Sequence, residues 1–369
     1  MLVDATALPP DRGGVGRYVD QLVGEFSALG VQPIIACQDR DADHFGSIAG
    51  VTVRSVGRFA GSRAARLAWE QTALPRLIRR TDAELLFSPH YTTAVCTAIP
   101  RVVTLHDATF FSDPDLHHWG KGPFFRAWTR LSLRVARVSI VPSQATRDEL
   151  VARAGADNGR LILAHHGVDH VRFQPPTEAA VTDLCARLGV RPRQYVAFLG
   201  TLEPRKNVPA LIRGWAAAVA DRTDPPALVL SGGPGWDENL PAALAAVPAH
   251  LRVVRTGYLD ALDLPALLGG AIVVAYPSLG EGFGLPVLEA MACGATVLTT
   301  RRLALPEIGG DAVAYTEPDS SAIAAALRAL LEDGPRRAAL ATAAQTRAAT
   351  FTWRRSAEAH VRAFEQARQ

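Results

Sequence analysis

Short apolar runs rich in β-branched residues alternate with amphipathic helical stretches through most of this chain. That alternation restricts it to α/β units wound around parallel sheets. One series of candidate strands covers residues 32–36, 85–88, 101–105 and 138–141, with helices such as 16–29 and 146–154 between them. A second covers 195–199, 227–230, 251–254, 272–275 and 296–299. Each series predicts one doubly wound domain. Between them Phe173-Gln174-Pro175-Pro176 breaks any helix and reads as a linker. The expected division is therefore 1–174, 175–351 and a charged helical tail, 352–369, that crosses back to the first domain.

The 369 residues suit two domains of ordinary size, which implies a cleft between lobes. With 48% hydrophobic and 20% charged residues the chain is expected to fold throughout. A net charge of +3 without a long basic run argues against a nucleic-acid partner and leaves small or lipid-linked substrates. Cys37, Cys96, Cys185 and Cys293 form no C-x-x-C pair and are expected to be buried, reduced thiols. The N-terminus lacks the pattern of a signal peptide, and no apolar run reaches the ~18 residues of a membrane span, so a cytoplasmic protein is expected. Only Lys121 and Lys206 are lysines among 39 basic residues, so a lysine kept under such a bias draws notice.

The strongest local pattern is Pro277-Ser-Leu-Gly-Glu281-Gly-Phe283-Gly284-Leu285-Pro286-Val-Leu-Glu289, which follows an apolar strand. It reads as strand, glycine loop, then helix with proline in its first turn. A helix start of this kind attracts phosphate through free N–H groups and the positive end of its dipole. Glu281 and Glu289 flank the loop, and carboxylates suit vicinal hydroxyls because they only accept hydrogen bonds. Taken singly, Glu281 as a solvated loop acid and Glu289 as a helix-dipole partner would be unremarkable. The second pattern is Gly200-Thr-Leu-Glu-Pro-Arg205-Lys206-Asn207, at the end of the strand that opens the second domain. Ligands of doubly wound folds sit beyond the carboxyl ends of strands, and adjacent Arg and Lys neutralise a diphosphate there.

In the first domain Asp11-Arg-Gly13-Gly14-Val-Gly16 precedes a helix but is no full dinucleotide fingerprint, and no G-x-x-x-x-G-K-[ST] loop occurs. Thr104-Leu-His106-Asp107 sets a histidine and an acid at the end of a strand, a pair that is more often structural than catalytic. Asp39-Arg-Asp41 and Asp113-Pro-Asp115 match a short metal-binding pattern formally but leave the second-domain motifs unexplained. Phe124, Trp128, Leu131 and Val135 recur at helical spacing opposite Arg126, Arg130 and Arg134. They read as a helix packed on its own domain, with contact to a membrane surface as the competing reading.

Together these motifs resemble retaining glycosyltransferases of family 4, whose GT-B fold sets two Rossmann-like domains face to face. The resemblance also covers Ser88-Pro-His90-Tyr, Val141-Pro-Ser143 and His166-Gly167-Val-Asp169. It implies that Glu289 binds the ribose, that Glu281 lies by the transferred sugar and that Arg205 and Lys206 hold the diphosphate. It adds Gly200 and the N–H groups of Phe283, Gly284 and Leu285 to that grip, closes Gly14 and Gly16 over the phosphates or acceptor, and puts His106 beside the donor sugar. Thr201 stands where many relatives carry an arginine, so Arg205 is expected to supply that charge. The implied reaction retains anomeric configuration and needs no metal or other cofactor beyond the nucleotide-sugar substrate. The wording around Lys206 resembles the mannosyltransferase branch, with GDP-mannose as donor and an oligosaccharide or lipid-linked acceptor. A nucleotide-sugar epimerase of the same fold and a non-catalytic sugar-nucleotide binding protein are the alternatives.

Overall fold

The computed structural model describes residues 1–9, 12–57, 62–116 and 120–369. They divide into one unit of Met1–Gly167 with Thr352–Gln369 and a second of Val168–Phe351. The boundary falls at Gly167, earlier than the Pro175-Pro176 pair. Phe173 is already in the core of the second unit, and Pro176 packs so close to Gly269 that a Cβ there would meet it at 2.4 Å. The prolines are thus part of that unit's packing. Gly167 has its own constraint, since a Cβ would lie 2.2 Å from the Trp353 nitrogen.

The first unit holds seven parallel strands: β1 (Leu2–Asp4), β2 (Ile34–Cys37), β3 (Thr52–Ser55), β4 (Leu86–Ser88), β5 (Arg101–Thr104), β6 (Val138–Val141) and β7 (Leu161–Leu163). Their order is β3-β2-β1-β4-β5-β6-β7, with Val3 opposite both Ile35 and Phe87. The second unit has β8 (Tyr195–Leu199), β9 (Ala227–Ser231), β10 (Val253–Gly257), β11 (Val273–Tyr276), β12 (Val297–Thr300) and β13 (Ala314–Thr316), ordered β10-β9-β8-β11-β12-β13. Both orders reverse beside the opening strand, at β1/β4 and at β8/β11. Crevices form where the order reverses, so the topology marks one candidate ligand position in each unit. Buried strands such as β8, Tyr-Val-Ala-Phe-Leu, read as continuous apolar runs because helices cover both faces.

The tail helix Trp353–Arg368 belongs to the first unit. Thr352 caps it by accepting the Arg355 N–H at 3.2 Å, and Phe364 packs against Phe26 and Phe87 with ring centroids 5.4 and 5.2 Å away. In the helix Lys121–Val135 the fully buried side is Thr129 and Ser132, whereas Phe124, Trp128, Leu131 and Val135 are half-buried. Three cysteines are buried as expected, but Cys96 is exposed. Among the described residues no helix is long and apolar enough to cross a membrane.

Candidate active site

Beyond the carboxyl end of β8 the backbone turns at Gly200, at φ +151°, and Pro204–Lys206 form a single 3-10 turn. Asn207, at φ +58°, ends that turn and starts the helix Val208–Val219. Its side chain donates to the Pro277 and Pro318 carbonyls at 3.2 and 2.7 Å. From the β11 side the Leu279 N–H and the Ser278 hydroxyl donate to the Arg205 carbonyl at 2.8 and 3.0 Å. The two loops are therefore laced together where the strand order reverses, and their side chains converge.

Glu281 is at the centre of that convergence. Its Oε2 accepts from Arg205 at 2.6 Å, and its Oε1 accepts from Lys206 at 2.7 Å, Ser278 at 2.7 Å and Tyr276 at 3.0 Å. Arg205 also pairs with Glu203 at 2.8 Å and donates to the Gly280 carbonyl at 2.8 Å. Burial opposes ionisation of Glu281, but Arg205, Lys206 and the hydrogen bonds outweigh it and hold the carboxyl at about 2. Burial and the neighbouring Arg205 lower the Lys206 ammonium, against the pull of Glu281 and Glu203. Burial and Glu281 push Tyr276 far above the ordinary phenol range, so its hydroxyl stays protonated and donates.

The helix Leu285–Ala292 starts at Gly284, which at φ +105° adopts a conformation that favours glycine, and no side chain caps it. Proline in its first turn gives up an N–H that has no intrahelical partner. Phe283 is buried edge-on to Phe351 at 6.2 Å, while Leu285 is half-buried. Glu289, only 3% exposed, lies one turn into the helix, and after burial itself its charge is what pushes the Cys293 thiol up. Glu289 is thus on the helix that follows the Glu281 loop, while Gly200, Arg205 and Lys206 come from the β8 loop.

Three features of this site were not singled out from the sequence. Tyr276 and Ser278 both bond Glu281, and the apolar strand ending in Tyr-Pro-Ser is their only sequence signal. The third is Ser231-Gly-Gly-Pro-Gly235 after β9. A Cβ on Gly232 would lie 2.2 Å from the Gly200 carbonyl, and one on Gly235 would lie 2.1 Å from that of Leu202. This second glycine loop braces the β8 loop from the other side, and its glycine density was the available clue.

In the first unit His106, at the end of β5, is half-buried and donates from Nε2 to the Pro89 carbonyl at 2.8 Å, leaving Nδ1 as an acceptor. Burial lowers it to about 4, so the ring is neutral near pH 7. Tyr18 stands edge-on to it at 4.8 Å and joins Thr104 at 2.8 Å and His360 Nε2 at 2.6 Å. Asp107 accepts the Thr109 N–H at 2.7 Å, a structural task. Gly14 lines a cavity of about 480 Å³, but Gly16 does not, because it is buried against Arg12, whose Cβ would be 2.8 Å from an added Cβ. Asp11, at the head of that glycine turn, lies outside the described residues.

Of the metal-like acid pairs, Asp39 is taken by Ser55 and Asp41 by Arg12 at 3.1 Å, and the Asp115 side chain lies outside the described residues. Asp4, Glu70 and His90 do bring ligand atoms within 4.8 Å of one another. Arg66 sits on that cluster, 2.6 Å from Glu70 and 3.0 Å from Thr92, so a guanidinium already balances it.

Residues 12–172 match the family described as Glycosyltransferase Family 4, and residues 193–333 match Glycosyl transferases group 1. Over 254 residues the chain is 29% identical to O-antigen chain mannosyltransferase B of Escherichia coli, covering 68% of this chain and 66% of that one. Over 226 residues it is 38% identical to D-inositol 3-phosphate glycosyltransferase of Salinispora tropica, covering 56% of this chain and 46% of that one. The chain thus spans between about half and two thirds of the length of these curated relatives. Among solved structures, HepE of Anabaena in complex with UDP and glucose superposes with a TM-score of 0.79 at 19% identity, over 99% of this chain and 98% of that one. WaaG, a glycosyltransferase involved in lipopolysaccharide biosynthesis, gives 0.76 at 16% identity over 98% of both chains. At such identities the likeness concerns the fold, which is GT-B.

Proposed function

Because the chain belongs to glycosyltransferase family 4, we propose that it transfers a hexosyl group from a nucleotide-sugar donor to a saccharide or glycolipid hydroxyl, retaining anomeric configuration and needing no metal. The observation that carries this reading is the buried convergence of Arg205, Lys206 and Glu281 where β8 and β11 reverse the strand order. Breaking a glycosyl–phosphate bond builds negative charge on the leaving diphosphate, and cations aimed there in advance stabilise it without reorganisation.

Arg205 and Lys206 take the diphosphate, assisted by Gly200 and the N–H groups of Phe283, Gly284 and Leu285. Glu289 takes the ribose. Glu281 holds the two cations in place and lies by the sugar. Both of its oxygens are engaged, which favours front-face attack over a carboxylate nucleophile. The acceptor oxygen bonds to the anomeric carbon as the bond to phosphate breaks, and the acceptor proton passes to the departing phosphate oxygen. His106, neutral with Nδ1 open as an acceptor, serves the reaction from the first unit, where Gly14 is assigned to the acceptor and Gly16 to the packing of its helix.

GDP-mannose is the donor we favour, from the Gly200-to-Asn207 wording and the O-antigen mannosyltransferase likeness. A UDP-hexose is the second reading, supported by the UDP and glucose bound by HepE. A cytoplasmic site of action, with or without contact at the membrane surface, goes with either donor. The test is a donor-by-acceptor screen that follows nucleoside diphosphate release with and without EDTA. Release that requires a divalent ion overturns metal independence. Donor turnover into an isomer without any acceptor identifies an epimerase instead.

A further inference from the structure

The strand order of the first unit also reverses, between β1 and β4, and the cavity of about 480 Å³ opens there. Its wall comes from the segments that follow β1, β2 and β4, together with the starts of the helices Arg63–Thr72 and Lys121–Val135. A volume of this size accommodates a small ligand. Among the described residues the charge on the wall is one-sided. Arg40, Arg63 and Arg66 line it, and no Asp or Glu does so among the described residues.

The three arginines are not equivalent. Arg66 is buried and committed to Glu70 at 2.6 Å and Thr92 at 3.0 Å. Arg63 is exposed, stands over the rings of Phe124 and Phe125 at 5.0 and 5.8 Å, and has no carboxylate partner among the described residues. Arg40 is exposed, donates from Nη2 to the Leu8 carbonyl at 2.6 Å and lies 3.7 Å from Asp41. Its fork retains further donors. Tyr91, Phe124 and Phe125 add aromatic surface to the same wall, and the Arg63 guanidinium already stands over the last two. An arginine fork recognises a planar or tetrahedral anion by paired hydrogen bonds, and an aromatic face accepts the C–H face of a sugar ring.

We propose that this cavity binds the acceptor, and that the acceptor is an anionic saccharide whose phosphate or carboxylate is held by Arg63 and Arg40 while its ring rests on Tyr91. The proposal rests on the transferase reading for the word acceptor, but binding in the cavity can be measured without turnover.

The experiment titrates the full chain calorimetrically with methyl α-mannoside, glucose 6-phosphate, glucuronate, inositol 3-phosphate and inorganic phosphate. It is repeated with Arg63→Ala, Arg63→Lys and Arg40→Ala, at two salt concentrations. Phosphorylated or carboxylated sugars should bind about tenfold or more tighter than the neutral one, and Arg63→Ala should remove that advantage. Arg63→Lys should recover part of it, because charge is kept while the fork is lost. The ratio of glucuronate to glucose 6-phosphate affinity tells which anion the site takes. Equal affinity for the neutral sugar overturns the proposal, as does inorganic phosphate binding as tightly as any sugar phosphate. Displacement of the sugar phosphate by GDP or UDP also overturns it, since the arginines would then serve the donor. Transfer onto neutral sugars with no anion preference sinks this inference and leaves the transferase reading intact. Binding without transfer to any donor sinks the transferase reading and leaves the anion site.

Discussion

The two points where strand order reverses share a topology but differ in their electrostatics. At β8/β11 a carboxylate is buried and saturated by Arg205, Lys206, Tyr276 and Ser278, on loops braced by Gly232 and Gly235, both at positive φ. At β1/β4 the buried ions are matched among themselves, Arg66 against Glu70 at 2.6 Å, and the charge that faces outward is at the rim, on exposed Arg40 and Arg63. Fixed, desolvated charge suits the place where a bond to phosphate breaks, because preorganisation lowers the barrier there. Exposed, adjustable charge suits recognition of a substrate that has only to be held. On the proposed reading, the two units divide bond breaking and recognition according to where their ions sit.

The largest break in that contrast should come from Lys206→Ala, expected to lower kcat/KM about 10²- to 10³-fold in steady-state assays of diphosphate release. Arg63→Ala should instead raise KM for the acceptor and leave kcat nearly unchanged. If both variants shift the same parameter, the division between the two sites is wrong. Next in size is Gly235→Ala, at φ +60° and with a Cβ 2.1 Å from the Leu202 carbonyl. It should cost about 1–3 kcal/mol in chemical denaturation and weaken donor binding, since the brace behind the β8 loop must shift. Unchanged melting and donor affinity would remove the bracing role.

Acid should separate the units. His106 and His360 are lowered from 6.5 to about 4 in the fold, in both cases by burial first. The unfolded chain takes up their protons first, so the stability they contribute is complete above pH 6.5 and is lost as pH falls toward 4. Glu281 is lowered from 4.5 to about 2, so its contribution is complete above 4.5 and is lost only below that. Hydrogen exchange followed by mass spectrometry between pH 7 and 4 should show protection failing first around Tyr18 and the tail helix. Loss of protection in both units at one pH would contradict this order.

Much of the second unit was legible because its evidence is local in sequence. Its strands are continuous apolar runs, and Arg205-Lys206 and Glu281-to-Glu289 are short, dense motifs at strand ends. The first unit was harder to read. Strands β3 and β7 are short and partly exposed, and the cavity draws its wall from segments dozens of residues apart, which no periodicity connects. The same limit hid Tyr276. A tyrosine ending an apolar strand looks like core until the fold brings Lys206 across its ring at 5.0 Å. Gly16 shows the converse, since a glycine inside a promising turn can be required by packing against Arg12 alone.

Tyr276→Phe carries the smallest expected effect and probes the network most finely. The hydroxyl accepts from Lys206 and donates to Glu281, so it links the cation and the carboxylate independently of their direct contact. Removing it keeps the ring, its stacking on Phe198 at 5.8 Å and its cation–π contact with Lys206. What is lost is one hydrogen bond to each charged partner, while Lys206 and Glu281 still meet at 2.7 Å. Turnover should fall about tenfold, the low end for losing bonds to charged partners, because Lys206 and Glu281 keep their direct contact, with donor KM nearly unchanged because the phosphate-facing cations remain. The readout that separates positioning from structure is the split between turnover and folding: kcat should fall while the melting temperature at pH 7 changes little. Wild-type turnover would mean that the Arg205–Lys206–Glu281 triad is rigid without the phenol, and that Tyr276 is core alone.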